Sequence, residues 1–187
     1  MRILSAIYAV TLLSLPAVAS DNTALTSEAK ALSQSFAGQL KQHLQRGMKA
    51  GGPLAALDVC NVQAPAISQA VGKTAGWKVG RTSLQARNEE NRPDRWELAT
   101  LLEFEKQKAL GTDITKMEYS AIINTDKGSV FRYMKAIPTG GICLTCHGDN
   151  VQSEVQEKIH ALYPADQALG FAVGDIRGAF TLSKQLE

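Results

Sequence analysis

Three residues in the last third of the chain combine thiol and imidazole groups at short spacing. Cys143, Cys146 and His147 form a CxxCH pattern within residues 141–148 (GICLTCHG). This pattern is the attachment signature of a c-type haem, in which two thiols bond to the porphyrin and the histidine ligates the iron. A CxxC disulfide or half of a zinc site is the alternative. The chain has 3 Cys and 3 His, and it has no second CxxC or His pair, so we favour haem.

The amino terminus has the pattern of a secretory signal peptide. Arg2 is a short basic region, residues 3–15 are apolar, and Ala17-Val18-Ala19 is a small-x-small cleavage site. The sequence predicts cleavage between Ala19 and Ser20, with residues 20–187 forming a single domain. The apolar run is too short for a good membrane span, so we expect a periplasmic protein without a stable membrane anchor after cleavage.

The charge balance argues against a nucleic acid or an anionic membrane as a partner. The chain has 20 lysines and arginines against 18 acidic residues, and loss of Arg2 with the signal brings the mature chain close to neutral. A nucleic-acid-binding or anionic-membrane surface requires a clear basic excess, so we expect neither.

Two helices are predicted after the signal. Residues 26–49 carry an apolar stripe at helical spacing, with Thr26 as a plausible N-cap, and the helix ends at the glycine pair 51–52. Pro53 suits the first turn of a second helix, whose apolar face has Cys60 at its middle. Pro65 lacks an N–H and crowds the preceding turn, so the sequence predicts a helix irregularity close to Cys60.

The remaining chain alternates strands and helices. The predicted strands cover residues 77–84, 118–124, 129–137 and 174–182, and the predicted helices cover 94–110 and 151–162. Asp94 and Glu97 form the pattern of a capping box at the start of the first of these helices. The fold class predicted is α+β, with a mostly antiparallel sheet flanked by helices and with long N-terminal helices.

The iron of such a haem has a second axial position, which decides its redox and ligand chemistry. That position is either open or filled by one of these candidates: Cys60, His43, His160, Met48, Met117 and Met134. The methionines fit core packing better, and His160 fits an exposed helix face. Cys60 is preferred because it is an unpaired thiol on an apolar face, and ligation would keep it as a shielded thiolate. His43 is the rival.

A polar loop, residues 85–95, follows the first predicted strand. Its arginines include Arg87 and Arg92, whose planar guanidinium groups suit the carboxylates of haem propionates. We therefore consider both as possible propionate contacts, against the alternative of a solvated loop.

Residues along most of the mature chain resemble the single-haem c-type domain family with a PAS-like fold, long catalogued as a domain of unknown function. The resemblance is carried by Val59-Cys60, Ala64-Pro65, Arg81, Ser83, Arg87-Asn88, Asn91, Pro93, Trp96, Glu97, Arg132-Tyr133, Ile137-Pro138, the CxxCH motif with Gly148, Tyr163-Pro164, Asp166, Ala168, Gly170, Gly174 and Arg177-Gly178-Ala179. Glu89 stands where the family pattern often has Pro. The resemblance implies a PAS-like domain with one haem c on Cys143 and Cys146, ligated by His147 and Cys60.

The resemblance also implies redox or small-ligand sensing. The chain carries no output domain, so a sensor requires a partner protein, and the ligand would be a small diatomic molecule. A periplasmic single-haem electron-transfer protein is the alternative. We do not expect an enzyme, because a haem peroxidase needs distal acid–base groups and the sequence offers only His43.

Overall fold

A four-stranded antiparallel sheet forms the centre of the protein, in a computed structural model that describes residues 19–73 and 75–186. The predicted signal segment lies outside these residues apart from Ala19. The strands lie in the order β1-β4-β3-β2, and every neighbouring pair is antiparallel. Their bounds are β1 Lys78–Thr82, β2 Glu118–Thr125, β3 Gly128–Pro138 and β4 Ile176–Gln185. The α+β prediction is confirmed, and each predicted strand is present.

The helices lie before, between and after these strands. Their bounds are α1 Ala19–Asp58, α2 Ala64–Lys73, α3 Arg95–Ala109, α4 Leu144–His147 and α5 Ser153–Leu162. A π-helical segment, Val59–Gln63, joins α1 to α2, and short 3-10 turns cover Glu89–Asn91, Ile114–Lys116 and Gly141–Cys143. Within residues 19–73 and 75–186, none of the helices combines the length and apolarity that a membrane crossing requires.

The long helix α1 breaks at its glycine pair, as the sequence predicts, and it folds back on itself there. The backbone is non-helical at Gly51 (φ −162°, ψ 23°) and at Gly52 (φ 68°, ψ −155°). A Cβ added to Gly47 would lie 3.0 Å from the Cα of Ala56. Nine residues of straight helix would separate these positions by about 13 Å, so the segment after the glycines packs against the segment before them.

The predicted helix start at Thr26 is wrong. The helix α1 already begins at Ala19, and the Thr26 hydroxyl donates to the carbonyl of Asn22, four residues earlier. This bond is typical of a threonine inside a helix and not of an N-cap. Thr26 also contacts Ser120 of β2 at 3.3 Å, so its hydroxyl lies between the helix and the sheet.

Alternation along the strands produces a different core on each face of the sheet. The face toward α1 holds the cluster Ala29, Trp77, Phe131, Tyr133 and Leu182. The face toward α3 holds the cluster Leu101, Phe104, Met117, Met134, Ala136, Ile176 and Ala179. Met117 and Met134 are therefore core residues, as expected, and are not ligand candidates.

The capping box at the start of α3 is present, and it also fixes this helix to the sheet. Asp94 and Glu97 bond each other's backbone N–H groups. Arg132 of β3 donates to the Asp94 carboxylate at 2.6 Å and to the Glu97 carboxylate at 3.0 Å, and it lies 4.5 Å above the Trp96 ring. Several residues that carry the family resemblance thus act in folding.

Gly178 of β4 provides a test of the close approach between β1 and β4. Its φ is 150°, and an added Cβ would clash with the carbonyl oxygen of Thr82. We expect Gly178→Ala to lower the free energy of unfolding by about 2–4 kcal/mol, from backbone strain and overpacking. Gly38→Ala, in the exposed interior of α1 with no atom within 4 Å, should instead raise it by about 0.5–1 kcal/mol. Urea unfolding measures both, and equal signs would contradict this account.

Candidate functional site

The CxxCH residues lie on two adjacent helical turns. The 3-10 turn Gly141–Cys143 leads directly into α4, which ends at His147, so both thiols and the imidazole project from adjacent turns. All three cysteines of the chain, Cys60 included, are free thiols in the structure. Across residues 19–73 and 75–186, no three His, Cys, Asp or Glu side chains are grouped so that they could hold a metal ion by themselves.

The imidazole of His147 is held in a single tautomer. Its Nδ1 lies 2.8 Å from the carbonyl oxygen of Ala168. A carbonyl can only accept, so Nδ1 carries the hydrogen and Nε2 keeps its lone pair. Burial, and then the charges of Arg177 and Arg87, lower the pKa of His147 to about 2. The ring is therefore neutral, which is the form that ligates metals.

Arg87 connects the motif to the segment that follows α5. It is 8% exposed, and its Nε donates to the Asp166 carboxylate at 3.1 Å. Its Nη2 donates to the carbonyls of Cys146 at 2.6 Å and Ala168 at 3.1 Å. The same Asp166 oxygen accepts from the Ala168 N–H at 2.9 Å. One buried ion pair thus fixes both the motif and the carbonyl that orients His147.

Phe171 closes another side of the imidazole. Its N–H donates to the His147 carbonyl at 2.9 Å, and its ring stands nearly perpendicular to the imidazole with 6.1 Å between centroids. The guanidinium of Arg177 lies 5.0 Å above the Phe171 ring. The histidine is therefore enclosed by an aromatic ring backed by a cation.

Cys60 lies within the π-helical segment Val59–Gln63. The predicted irregularity is thus present, as a widened turn just before Pro65, and π-turns of this kind occur frequently at functional sites. Gln63 of the same segment hydrogen-bonds Nδ1 of His43. The rival ligand His43 is therefore tied to the segment that presents Cys60.

The structure brings the Cys60 segment to the CxxCH motif. Leu57, one turn before Cys60, packs in a cluster with three residues that follow the motif, Val151, Val155 and Ile159. Cys146 of the motif packs against this cluster. Burial raises the pKa of the Cys146 thiol, and Cys60 contributes to this shift. By contrast, His160 is exposed, as predicted, and Met48 is half-buried on α1.

The two arginines considered as propionate contacts differ in position. Arg87 is buried and donates to protein groups, as described above, while Arg92 is exposed and pairs with Glu89 at 3.0 Å. Sequence reasoning gave no role to Arg81 or to Arg177. Burial, followed by the charges of Arg87 and Arg81, lowers the pKa of Arg177 to about 10.

Sequence reasoning also missed the support of His147. Asp166, Ala168 and Phe171 orient or enclose the histidine, and the first two were noted only as part of the resemblance. A histidine that ligates a metal needs a hydrogen-bond acceptor for its second ring nitrogen, and a sequence can be searched for a side chain that supplies one. The partner here is a backbone carbonyl, which any residue type supplies, so side-chain identity does not reveal it.

The Arg87 contacts generate a stability prediction. We expect Arg87→Ala to lower the free energy of unfolding by about 3–5 kcal/mol, because the fully buried side chain of Asp166 would lose its charge partner. Arg92→Ala is the matched control, since it removes an exposed pair and should cost less than about 1 kcal/mol. Guanidinium unfolding followed by circular dichroism measures both variants. A small loss for Arg87→Ala would show that the buried pair is not needed.

Comparison with known proteins places this geometry in a family. The Tll0287-like family model matches residues 13–184. The crystal structure of the cyanobacterial heme-protein Tll0287 has a similar fold, with a TM-score of 0.61 at 22% sequence identity, and the match covers 91% of this chain and 98% of that chain. Among curated proteins, none matches the chain. Since the family model spans nearly all of the chain, the protein belongs to the Tll0287-like family.

Proposed function

We propose that this chain is an exported, periplasmic protein that carries one covalently attached haem c and acts as a redox or small-ligand sensor. The observation that carries the proposal is the state of His147. Its ring is neutral, its Nδ1 is bonded to the Ala168 carbonyl, and its Nε2 is free on the same short segment as two free thiols. The heme-protein Tll0287, which is similar in fold, supports haem as the group bound.

The residues of this site fit a haem. Cys143 and Cys146 would form the two thioether bonds, His147 would ligate the iron through Nε2, and Cys60 would be its second protein ligand. The haem supplies one-electron redox chemistry and an iron that can bind a small ligand. The chain orients the imidazole through Arg87 and Asp166, and the motif residues 143–147 are half-buried.

A sensing role is supported by the way Cys60 is held. Its segment is a π-helical turn at the end of a helical hairpin whose bend contains Gly51 and Gly52. We propose that this turn can convert to a regular α-helical turn, which would give Cys60 the two positions that a switch requires. The same hairpin continues into the part of α1 that packs on the sheet, which gives a partner protein a surface to read.

Electron transfer is the second candidate. It is favoured by the exposure of the motif itself, since Ile142, directly before Cys143, is 48% exposed. An apolar side chain beside the attachment site suits brief contact with a redox partner. A haem-enzyme role is not proposed, because His43, the histidine considered as a distal acid–base group, is bonded to Gln63.

Covalent attachment is the first point to test. The mature protein, produced with a c-type maturation system, should be red, give a c-type pyridine haemochrome spectrum and keep the mass of one haem in denaturant. The double variant Cys143→Ser/Cys146→Ser should lose the haem, and His160→Ala, an exposed histidine, should keep it. A colourless parent protein would overturn the proposal.

The second axial ligand is tested by spectroscopy. Ferric Cys60→Ala should lose the low-spin thiolate signature in optical and electron paramagnetic resonance spectra, because no other sulfur would replace it. His43→Ala should keep that signature and serves as the control. A ligand change in the parent on reduction would favour sensing, and unchanged ligands would favour electron transfer. Spectra of Cys60→Ala identical to the parent would exclude Cys60 as a ligand.

A further inference from the structure

The surroundings of His147 contain more positive than negative charge. Arg87 donates to the carbonyl of Ala168, which bonds the imidazole, and Arg177 lies over the Phe171 ring beside the imidazole. A third arginine, Arg81, lies two residues before Ser83, whose hydroxyl bonds Arg177. In the described part of the chain, Asp166 is the acid that pairs with one of these arginines, Arg87. Half-buried cations without matching anions are costly, so this arrangement points to a bound anion.

Arg87 is already accounted for by the protein. Its Nε and Nη2 donate to Asp166 and to two backbone carbonyls. Since Arg87 and Asp166 form an ion pair, their charges largely cancel. The uncompensated charge therefore belongs to the other two arginines.

Arg177 donates only to neutral groups. Its Nη1 contacts the Ser83 hydroxyl at 3.0 Å and the Gln85 carbonyl at 3.2 Å, and its guanidinium lies over the Phe171 ring. Within residues 19–73 and 75–186, its side chain forms no ion pair with a carboxylate, and its hydrogen bonds are those to Ser83 and Gln85. Its place above Phe171, which contacts His147, brings its charge to the edge of the candidate site.

Arg81 is half-buried near the end of β1, opposite Phe180 of β4. Alternation places it on the same face as Val79, the face covered by α1 and α2. In the described chain, Arg81 has neither an ion pair nor a side-chain hydrogen bond. The Ser83 hydroxyl donates to the Arg177 carbonyl at 2.8 Å, so both arginines lie at the same end of the β1–β4 pair.

We propose that Arg81 and Arg177 bind the two propionate groups of the haem. This inference rests on the proposed function. Two guanidinium groups without acidic partners match two carboxylates in charge, and their planar forks match them in geometry. We therefore assign propionate binding to Arg81 and Arg177 in place of Arg92 and Arg87. Arg92 is paired with Glu89 on the surface, and the donors of Arg87 hold the motif.

The test uses the haem-loaded protein. Arg81→Gln and Arg177→Gln should retain the covalent haem, as judged by mass, because the thiols and His147 are unchanged. The propionate bending band in their resonance Raman spectra should shift, and the midpoint potential should fall, since a positive charge near the iron is lost. Arg92→Gln is the control and should match the parent in both measurements. Raman bands and potentials unchanged in all three variants would overturn the inference.

A second measurement compares stability with and without haem. With haem bound, Arg81→Gln should lower the midpoint of thermal unfolding, because a propionate loses its counter-charge. In the haem-free Cys143→Ser/Cys146→Ser background, the same change should raise the midpoint by relieving repulsion with Arg177 and Arg87. A change of the same sign in both backgrounds would contradict the inference.

These outcomes separate this inference from the proposed function. A parent protein without covalent haem would overturn both. Haem-loaded arginine variants that behave like the parent would overturn the propionate assignment alone. If the haem-free background does not fold, the Raman and potential measurements decide the question by themselves.

Discussion

The buried pair between Arg87 and Asp166 is the constraint on which the candidate site depends. A buried ion pair depends on further hydrogen bonds to its other donors and acceptors. Here Arg87 also donates to the carbonyls of Cys146 and Ala168, and Asp166 Oδ1 accepts from the Ala168 N–H, while Asp166 Oδ2 is buried without a hydrogen-bond partner among the described residues. The Ala168 carbonyl in turn determines the tautomer of His147. Through Ala168, the ion pair therefore determines that the lone pair of the imidazole is on Nε2.

The Cys60 segment is held near the motif by a different kind of interaction. The hairpin of α1 and α2 reaches the motif through apolar contacts of Leu57 with α5. Its bend needs glycine, because Gly52 adopts a φ of 68°. Cys60 lies in the π-helical turn at the end of this helix. The site therefore combines a rigid half around His147 with a half held by helix packing.

The residues shared with the family divide into two groups by position. Glu97 and Arg132, with Trp96, bind α3 to the sheet and lie in a network away from the motif. Arg87 and Asp166 surround the CxxCH turn. The residues that carry the resemblance therefore include some that hold α3 to the sheet and some that surround the CxxCH turn, and only their contacts in three dimensions separate the two groups.

What the sequence determined by itself is local. The CxxCH turn, the break at Gly51-Gly52, the capping box at Asp94 and the irregularity before Pro65 all depend on residues within a few positions of one another. Each follows from steric limits or from hydrogen bonds inside one turn of chain. For the same reason the α+β class and the strands could be predicted from periodicity alone.

The tertiary structure decided everything that joins distant segments. Arg87 meets Asp166 across 79 positions, and Ser83 meets Arg177 across 94. Thr26 of α1 likewise meets Ser120 of β2 across 94 positions. No local pattern encodes such pairs, because their free energy arises only once the sheet has brought the segments together. The sequence thus specified the groups that could bind a haem, and the fold decided which residues surround and orient those groups.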